Sequence, residues 1–283
     1  MGSTELEDQA LLQFDRLLRR GELLWSENTA RRIYGDPFDF EFRVADSLQS
    51  KPIDTEQKKP TDNAFLESDG DWTLGNIGKD HKLILNKFCV VRPQFVLPTL
   101  EYQPQSDPLD VADFQAAWDV LIQLPENYMI IFNCGVEAGS SVGHKHLQII
   151  PQPRSNSRNF FVQLREDENE GGTDTVPGAP FKHAAYPLGK VIHGERLEEV
   201  YGNLRKMLRM EKDQAHNVLL TRQHLLVIPR TKAWIEMDGC TVIAGNAAGM
   251  IGLVYSWSEE QFKAWINYGP MKALAEMGVP KSP

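Results

Sequence analysis

The amino-acid sequence predicts an α+β protein, built on an antiparallel sheet with flanking helices. Short β-rich runs come in pairs joined by brief turns, and an amphipathic segment separates one pair from the next. This order of hairpin, helix and hairpin occurs roughly twice, although no sequence repeat is visible. Parallel sheets alternate single strands with helices, so the order favours antiparallel pairing and is compatible with two similar halves in one domain.

Helical periodicity and β-forming runs define the elements of the first half. Apolar residues at i, i+3 and i+4 predict helices over 6–25 and 110–123, the second with Asp110 as a suitable N-cap. Runs of β-branched and aromatic residues predict strands at 81–91, 94–97, 128–132 and 147–150. The charged segment 54–71 has little apolar content, so we expect a loop there.

The second half shows the same alternation of strands and helices. The predicted elements are a charged helix over 195–212, a hairpin of 218–220 with 224–228, strands at 241–244 and 250–255, and a last pair of helices after Ser258. Between the halves, glycines and acids predict a linker or insertion. We therefore divide the chain into an N-terminal half, a linker and a C-terminal half that completes the site, with the bounds 1–155, 156–179 and 180–283.

Composition excludes several classes of protein. The net charge of −9 argues against a general nucleic-acid or membrane-surface binder, and no apolar run approaches membrane-spanning length. The three cysteines, Cys89, Cys134 and Cys240, are far apart and form no Cys-x-x-Cys pair, which disfavours a disulfide framework or a structural zinc site. The polar, acidic N-terminus is unlike a signal peptide, so we expect a cytoplasmic protein.

The most informative stretch is 133–151, which lies between two predicted strands. It contains three glycines, two adjacent serines and two histidines, His144 and His146. Glycines allow backbone N–H groups to approach an anion closely, and serines add hydroxyl donors. Residues i and i+2 of a strand share a face, so the two histidines should lie side by side. The combination predicts a phosphate site with an imidazole next to it.

His144, His146 and Gln148 should share one face of a strand whose other residues are mostly apolar. Buried polar groups need partners, and a phosphate would provide acceptors for all three. A lone strand histidine usually has only a structural role. Two of them can also bind zinc, but the sequence shows no convincing third and fourth ligand. As a nucleophile, an imidazole needs one nitrogen held by a partner such as a backbone carbonyl.

Basic and amide side chains elsewhere are candidate phosphate contacts, although most lysines are solvated surface residues. Lys51 is the strongest of them, because Pro52 restricts its backbone. Asn86 and Lys87 interrupt an apolar strand. Lys145 should point away from the histidine face, which counts against direct contact. Asn246, in the glycine-rich loop 245–249, is placed to reach a ligand.

The string Gly139-Ser140-Ser141-x-x-His144-Lys145-His146-Leu147-Gln148 closely resembles the motif of the ATP adenylyltransferases. This family, also called the diadenosine tetraphosphate phosphorylases, belongs to the transferase branch of the histidine-triad superfamily. The resemblance implies a histidine-triad-like antiparallel sheet with flanking helices. It covers most of the chain, because further segments match in the expected order: Lys51-Pro52, 81–88, Pro180-Phe181-Lys182-His183, 217–221, Pro229-Arg230, Gly249-Met250 and Gly269-Pro270.

The resemblance implies a two-step nucleotidyl transfer. His146 would attack the α-phosphorus of diadenosine tetraphosphate, ATP would leave, and phosphate would convert the His146–AMP intermediate to ADP. His144 would support the nucleophile. The other residues implied in catalysis or substrate binding are Gln148, Lys51, Asn86, Lys87, Asn133, Gly139, Ser140, Ser141, Asn246 and Gly249. No protein-bound metal and no tightly bound cofactor is expected, although Mg²⁺ can accompany the nucleotide phosphates.

Several alternatives stay open. Simple triad hydrolases carry a third histidine where this chain has Gln148, which favours transfer to phosphate, but a related nucleotide hydrolase or a sulfate-using adenylyltransferase is the enzymatic alternative. The uridylyltransferase branch shares the glutamine and typically has zinc ligands. A non-catalytic nucleotide-binding sensor is the alternative from another class. The expected partners are diadenosine tetraphosphate, phosphate, ATP, ADP and AMP, bound by a monomer or homodimer with no nucleic-acid or membrane partner.

Overall fold

The structure, a computed structural model, describes residues 4–45, 47–48, 65, 70–153, 158–166, 173–189, 192–237 and 241–281. The α-helices of this part are α1 (Glu5–Arg19), α2 (Val111–Leu121), α3 (Gly194–Met207), α4 (Ala247–Met250), α5 (Glu259–Tyr268) and α6 (Pro270–Met277). Its strands are β1 (Arg31–Ile33), β2 (Phe40–Val44), β3 (Thr73–Ile77), β4 (His81–Leu85), β5 (Phe95–Pro98), β6 (Tyr128–Cys134), β7 (His146–Pro151), β8 (Arg165–Glu166), β9 (Asp174–Thr175), β10 (Ala184–Pro187), β11 (His216–Leu220), β12 (His224–Pro229), β13 (Trp234–Met237), β14 (Thr241–Ala244) and β15 (Leu253–Ser256).

Ten strands form one sheet, in the order β3-β4-β5-β7-β6-β11-β12-β10-β9-β8, and all of its pairings are antiparallel. The prediction of an antiparallel α+β fold is therefore confirmed. The pairing of β6 with β11, in which Asn133 lies opposite Asn217, joins the two halves into one continuous sheet. A smaller sheet, β1-β2-β15, contains a parallel pairing of β2 with β15.

The main sheet has a hydrophobic core on each face. Leu147 and Ile149 of β7 belong to the core that contains residues of α1, α2 and α3. Ile150 belongs to the opposite core, which contains residues of β2, β15, α5 and α6. Side chains alternate along a strand, so His146 and Gln148 share the face of Ile150. This alternation places the candidate nucleophile on the face that α1, α2 and α3 leave uncovered.

The first helix is shorter than its apolar pattern predicts. Thr4 accepts a hydrogen bond from the backbone N–H of Glu7 and so caps α1, but the helix ends at Arg19 and not at residue 25. Gly21 has a φ of +69°, which turns the chain out of the helix. Leu24 then forms a β-bridge with Phe88, and the apolar residues after Arg19 are buried or half-buried without being helical.

Other predicted boundaries also shift. The helix predicted at 195–212 ends at Met207, and the strand predicted at 250–255 begins at Leu253. The loop predicted at 245–249 contains the helical turn α4, with Asn246 as its N-cap. Segment 156–179 contributes β8 and β9 to the sheet edge, whereas most of 54–71 lies outside the described residues. Within the described chain, no helix is long and apolar enough to cross a bilayer.

Candidate active site

His146 is the first residue of β7 and is 8% exposed. Its backbone N–H donates to Oε1 of Gln105 at 2.7 Å, and Nδ1 of its ring lies 2.8 Å from the carbonyl oxygen of His144. A carbonyl oxygen only accepts hydrogen bonds, so Nδ1 carries the proton and the lone pair lies on Nε2. The two hydrogen bonds therefore fix both the main chain and the ring tautomer of His146.

His144 has the opposite tautomer. Its Nε2 lies 2.9 Å from both Oγ1 and the carbonyl oxygen of Thr99. The Thr99 hydroxyl donates its own hydrogen to the carbonyl of Glu101 at 2.7 Å, so both Thr99 oxygens act as acceptors and Nε2 of His144 carries the proton. Burial lowers the pKa of His144, although the hydrogen bond to Thr99 acts in the opposite direction. The ring is therefore neutral near pH 7.

The described residues offer no zinc site at these histidines. Hydrogen bonds occupy one nitrogen of each ring, because Nε2 of His144 is bonded to Thr99 and Nδ1 of His146 is bonded to a carbonyl. No three His, Cys, Asp or Glu side chains in the described segments are grouped so that they could hold a metal ion.

Gln148 lies two residues after His146, on the same face of β7, and is half-buried. Its Oε1 accepts a hydrogen bond from Nε2 of Gln94 at 3.4 Å. Two aromatic rings border the histidines. The ring of Phe65 lies 5.4 Å from that of His144 and 5.3 Å from that of His146, and the ring of Tyr102 lies 5.5 Å from that of His144. These neighbours exclude much of the solvent from both imidazoles.

Lys145 points to the opposite face of the strand, as the alternation predicts. Its Nζ lies 2.7 Å from Oδ2 of Asp113 and 3.1 Å from Oε1 of Gln103, and both charged side chains are at most 2% exposed. Oδ1 of Asp113 lies 2.9 Å from Nε2 of His81. Burial alone would raise the pKa of Asp113, but the hydrogen bond with His81 and the charge of Lys145 outweigh it, so this pKa is lowered. The ion pair anchors the main chain between the two histidines.

The loop 139–143, which contains both serines and is called the serine loop below, packs tightly against the C-terminal half. Gly139 has a φ of +90°, and a Cβ atom there would lie 2.8 Å from Cα of Asn246. The N–H of Gly139 donates to the carbonyl of Val136 at 2.9 Å, and the hydroxyl of Ser140 donates to the carbonyl of Val142 at 2.9 Å. Ser141 is half-buried in the same loop. Close packing therefore explains Gly139, and substrate contacts by this loop stay a prediction.

Asn133 joins that loop to α4 through a buried hydrogen-bond network. Its Oδ1 accepts from Nδ2 of Asn217 and from the N–H of Ala247, both at 2.9 Å. Oδ1 of Asn246 accepts from the N–H of Gly249 at 3.2 Å and so caps α4. The sequence places Asn133, Asn246 and Gly249 near a ligand. The structure brings them together next to the loop, where the side-chain oxygens of Asn133 and Asn246 accept hydrogen bonds from the protein, and direct contact with substrate stays a prediction.

Two family models match this chain along most of its length. The Ap4A phosphorylase N-terminal domain matches residues 3–163, which is more than half of the chain. The ATP adenylyltransferase C-terminal domain matches residues 177–280. The chain belongs to the Ap4A phosphorylase family. The resemblance of its sequence motif to this family is thereby confirmed, and the family is one of nucleotidyltransferases.

Two relatives of this Ap4A phosphorylase family member are yeast proteins. Protein APA1 of Saccharomyces cerevisiae is 29% identical over 217 residues, which cover 66% of this chain and 65% of APA1. Diadenosine 5',5'''-P1,P4-tetraphosphate phosphorylase 2 of the same yeast is 29% identical over 237 residues, or 72% of this chain and 71% of the relative. The crystal structure of yeast Ap4A phosphorylase Apa2 has a TM-score of 0.82 at 22% identity, with both chains fully covered. Its complex with Ap4A has the same TM-score at 24% identity. The structures therefore share this chain's fold.

Two of the remaining site predictions for this family member, Asn86 and Lys87, directly follow β4. Oδ1 of Asn86 accepts from the N–H of Phe88 at 3.0 Å, and the N–H of Asn86 donates to the carbonyl of Gln94 at 2.8 Å. The side chain of Lys87 is exposed. The backbone of Asn86 thus borders Gln94, which contacts Gln148. Lys51 lies outside the described residues, so its predicted contact with phosphate stays a prediction.

Arg230 is a buried residue that sequence reasoning did not select for the site. It is 3% exposed, and its guanidinium donates to Asn217 Oδ1 and to the carbonyls of Met277, Ala138, Lys232 and Gly245. Burial lowers its pKa to about 9. The sequence does contain an indication of this role: a charged residue directly follows the apolar strand β12, and such a residue needs partners inside the protein. Arg230 ties the serine loop to α6 and to the segment before α4.

Proposed function

We propose that this chain phosphorolyses diadenosine tetraphosphate to ATP and ADP through a covalent His146–AMP intermediate. The observation that carries the proposal is the hydrogen bond from Nδ1 of His146 to the carbonyl of His144, which places the lone pair on Nε2. Membership of the Ap4A phosphorylase family supports the substrate, as do a yeast relative named as a diadenosine tetraphosphate phosphorylase and a structure of yeast Apa2 with Ap4A.

In the first step, Nε2 of His146 attacks the α-phosphorus of one adenosine. The new N–P bond forms as the bond between this phosphorus and its bridging oxygen breaks, and the electron pair leaves with ATP. The ring keeps its proton on Nδ1 and becomes cationic. The carbonyl of His144 accepts the hydrogen bond from this ring, which becomes stronger as positive charge develops.

In the second step, an oxygen of inorganic phosphate attacks the same phosphorus. The N–P bond breaks, its electron pair returns to Nε2, and ADP leaves. Its β-phosphorus comes from inorganic phosphate. Gln148 is neither a general acid nor a general base, so it cannot deprotonate a water molecule. Phosphate is already anionic and needs no such base, so a glutamine at this position favours phosphate over water as the acceptor.

The donors proposed to stabilise the transferred phosphoryl group are Gln148, Ser140 and Ser141, with Lys51 opposite the polyphosphate. The hydroxyl of Ser140 must rotate away from the carbonyl of Val142 to serve in this way. Mg²⁺ would travel with the nucleotide phosphates, and no tightly bound cofactor is proposed. We further propose that the protein is a cytoplasmic monomer or homodimer, and that it binds small molecules and no nucleic acid.

A product assay tests the reaction. Diadenosine tetraphosphate is incubated with the protein, with and without phosphate labelled with ³²P, and the nucleotides are separated. We expect equal amounts of ATP and ADP only when phosphate is present, with the label in the β position of ADP. ATP with AMP in the absence of phosphate would identify a hydrolase. Turnover with sulfate alone would identify a sulfate-using enzyme, and nucleotide binding without products would identify a sensor.

Trapping the intermediate tests the nucleophile. Substrate labelled at the α-phosphorus should leave an acid-labile adenylyl group on the wild-type protein and none on His146→Asn. A matched control is His193→Asn, because His193 is exposed, caps α3 and can be replaced by another good N-cap residue. This control should form the adduct normally. Adduct formation by the His146→Asn protein would show that another residue is the nucleophile.

A further inference from the structure

Gln94 is held between a fixed hydrogen-bond donor and Gln148. It directly precedes β5 and is 5% exposed. Its Oε1 accepts from the backbone N–H of Val90 at 3.0 Å, and its Nε2 donates to Oε1 of Gln148 at 3.4 Å. A backbone N–H can only donate, so the amide oxygen of Gln94 must face Val90. The NH₂ group of Gln94 must then face Gln148.

The strand register decides in which direction the Gln148 amide is turned. Val96 of β5 pairs with Gln148, and Phe95 pairs with Ile149. Gln94 therefore lies toward the C-terminal end of β7, whereas His146 lies at its N-terminal end. The NH₂ group of Gln94 engages the Gln148 oxygen from the C-terminal side. Because the amide is planar, with oxygen and nitrogen on opposite sides, its NH₂ group is turned toward the side of His146.

We infer that Gln94 is a positioning residue that turns the NH₂ group of Gln148, and not its oxygen, toward the phosphoryl group transferred through His146. The inference rests on the proposed function. With the amide reversed, the Gln148 oxygen would face phosphate oxygens, and two acceptors repel each other. A donor is needed most when negative charge develops on these oxygens in the transition state, so the effect should fall on kcat more than on KM.

The substitution Gln94→Glu reverses the direction of the hydrogen bond between residues 94 and 148 with almost no change in the shape of the side chain. The new carboxylate still accepts from Val90, but it no longer donates, so Gln148 must turn its NH₂ group toward it. At pH 8 we expect kcat to fall by a factor on the order of ten to one hundred, the range for a hydrogen bond to a charged group. At acidic pH the carboxyl group is protonated and donates again. The ratio of variant to wild-type kcat should therefore recover as the pH falls.

A double-mutant cycle with Gln148→Met separates positioning from a direct effect of the new charge. If Gln94 acts through Gln148, Gln94→Glu should change kcat less than about twofold in the Gln148→Met background. An equal loss in both backgrounds, or a ratio that does not depend on pH, would overturn the inference. Wild-type kcat in the Gln94→Glu protein would overturn it as well. Urea midpoints of the four proteins identify any loss that is due to unfolding.

AMP affinity, measured by calorimetry on the same four proteins, provides a readout without turnover. We expect Gln94→Glu to weaken AMP binding at pH 8 only where Gln148 is present. If the wild-type protein binds AMP but forms no ADP from diadenosine tetraphosphate and phosphate, the proposed reaction is wrong, and the affinity cycle still decides the role of Gln94. If all four proteins bind AMP equally and kcat shows no coupling between Gln94 and Gln148, the inference is wrong whatever the reaction.

Discussion

Removing the Lys145 charge should destabilise the protein through the partner that it leaves behind. In Lys145→Met the carboxylate of Asp113 stays 1% exposed, with His81 and the N–H of Asp110 as its described partners. Loss of one member of a buried ion pair costs about 3–5 kcal/mol, and the two surviving hydrogen bonds favour the lower end, about 3 kcal/mol. Urea unfolding at pH 7 measures this difference. The exposed pair of Arg31 with Glu259, also 2.7 Å long, is the matched control.

In that control, Glu259→Gln should shift the urea midpoint little, because both partners are largely solvated and the pair is screened by water. The pKa of Asp113 is lowered from 3.8, so its ion pair stabilises the protein above pH 4, and this stability is lost as the pH falls through the lowered value. In Lys145→Met the loss of stability on acidification should begin at a higher pH. Equal urea midpoints for Lys145→Met and Glu259→Gln would refute the reasoning, as would an unchanged onset of acid unfolding.

Three further predictions concern packing, a buried cation and pH. Gly139→Ala should lose at least about 2 kcal/mol, because of its positive φ and the close Asn246 backbone. Gly143→Ala, where a Cβ meets nothing within 4 Å, should change little in the same urea titration. Arg230→Met removes a donor from four carbonyls, three of them buried, so calorimetric melting should show a loss of about 3–5 kcal/mol in the free energy of unfolding; a near wild-type Tm would contradict this. Burial lowers the pKa values of His183 and His216 from 6.5 to about 4, so unfolding takes up protons, and stability should fall as the pH drops from 6.5 to 4. His183→Gln and His216→Gln should each flatten that slope by about one proton, and unchanged slopes would contradict the assignment.

The sequence predicts the local geometry of the site well, because that geometry depends on strand period alone. Residues 144–150 alternate between two faces, which separates His146 and Gln148 from Lys145 whatever the rest of the fold does. The antiparallel order follows in the same way from hairpins, whose strands are close in sequence. The support of His146 by a backbone carbonyl also needs only its neighbour two residues away, so it too was predictable from local chemistry.

The remaining features of the site depend on contacts between distant parts of the chain. The role of Asn133 requires β6 to pair with β11, which brings Asn217 opposite it, and no local pattern specifies that pairing. The turn α4 is four residues long and is helical because Asn246 and the distant Asn133 satisfy its N–H groups. The sequence predicts that the glycines of the serine loop leave space for an anion. The structure shows a further reason for Gly139: it leaves space for the backbone of Asn246, which only the folded chain brings there.

The two neighbouring histidines have opposite tautomers, and in each case a neutral acceptor sets the tautomer. A carboxylate next to Nδ1 of His146 would stabilise a cationic ring strongly, and a phosphohistidine so stabilised would be a poorer leaving group in the second transfer. The carbonyl of His144 orients the ring in the same way but adds no net charge. In the proposed reaction, the N–P bond of the His146–AMP intermediate would therefore stay weak enough for phosphate to displace it. Burial lowers the pKa of His144 despite the opposing hydrogen bond to Thr99, so in the proposed reaction no second positive charge would develop next to the His146–AMP intermediate.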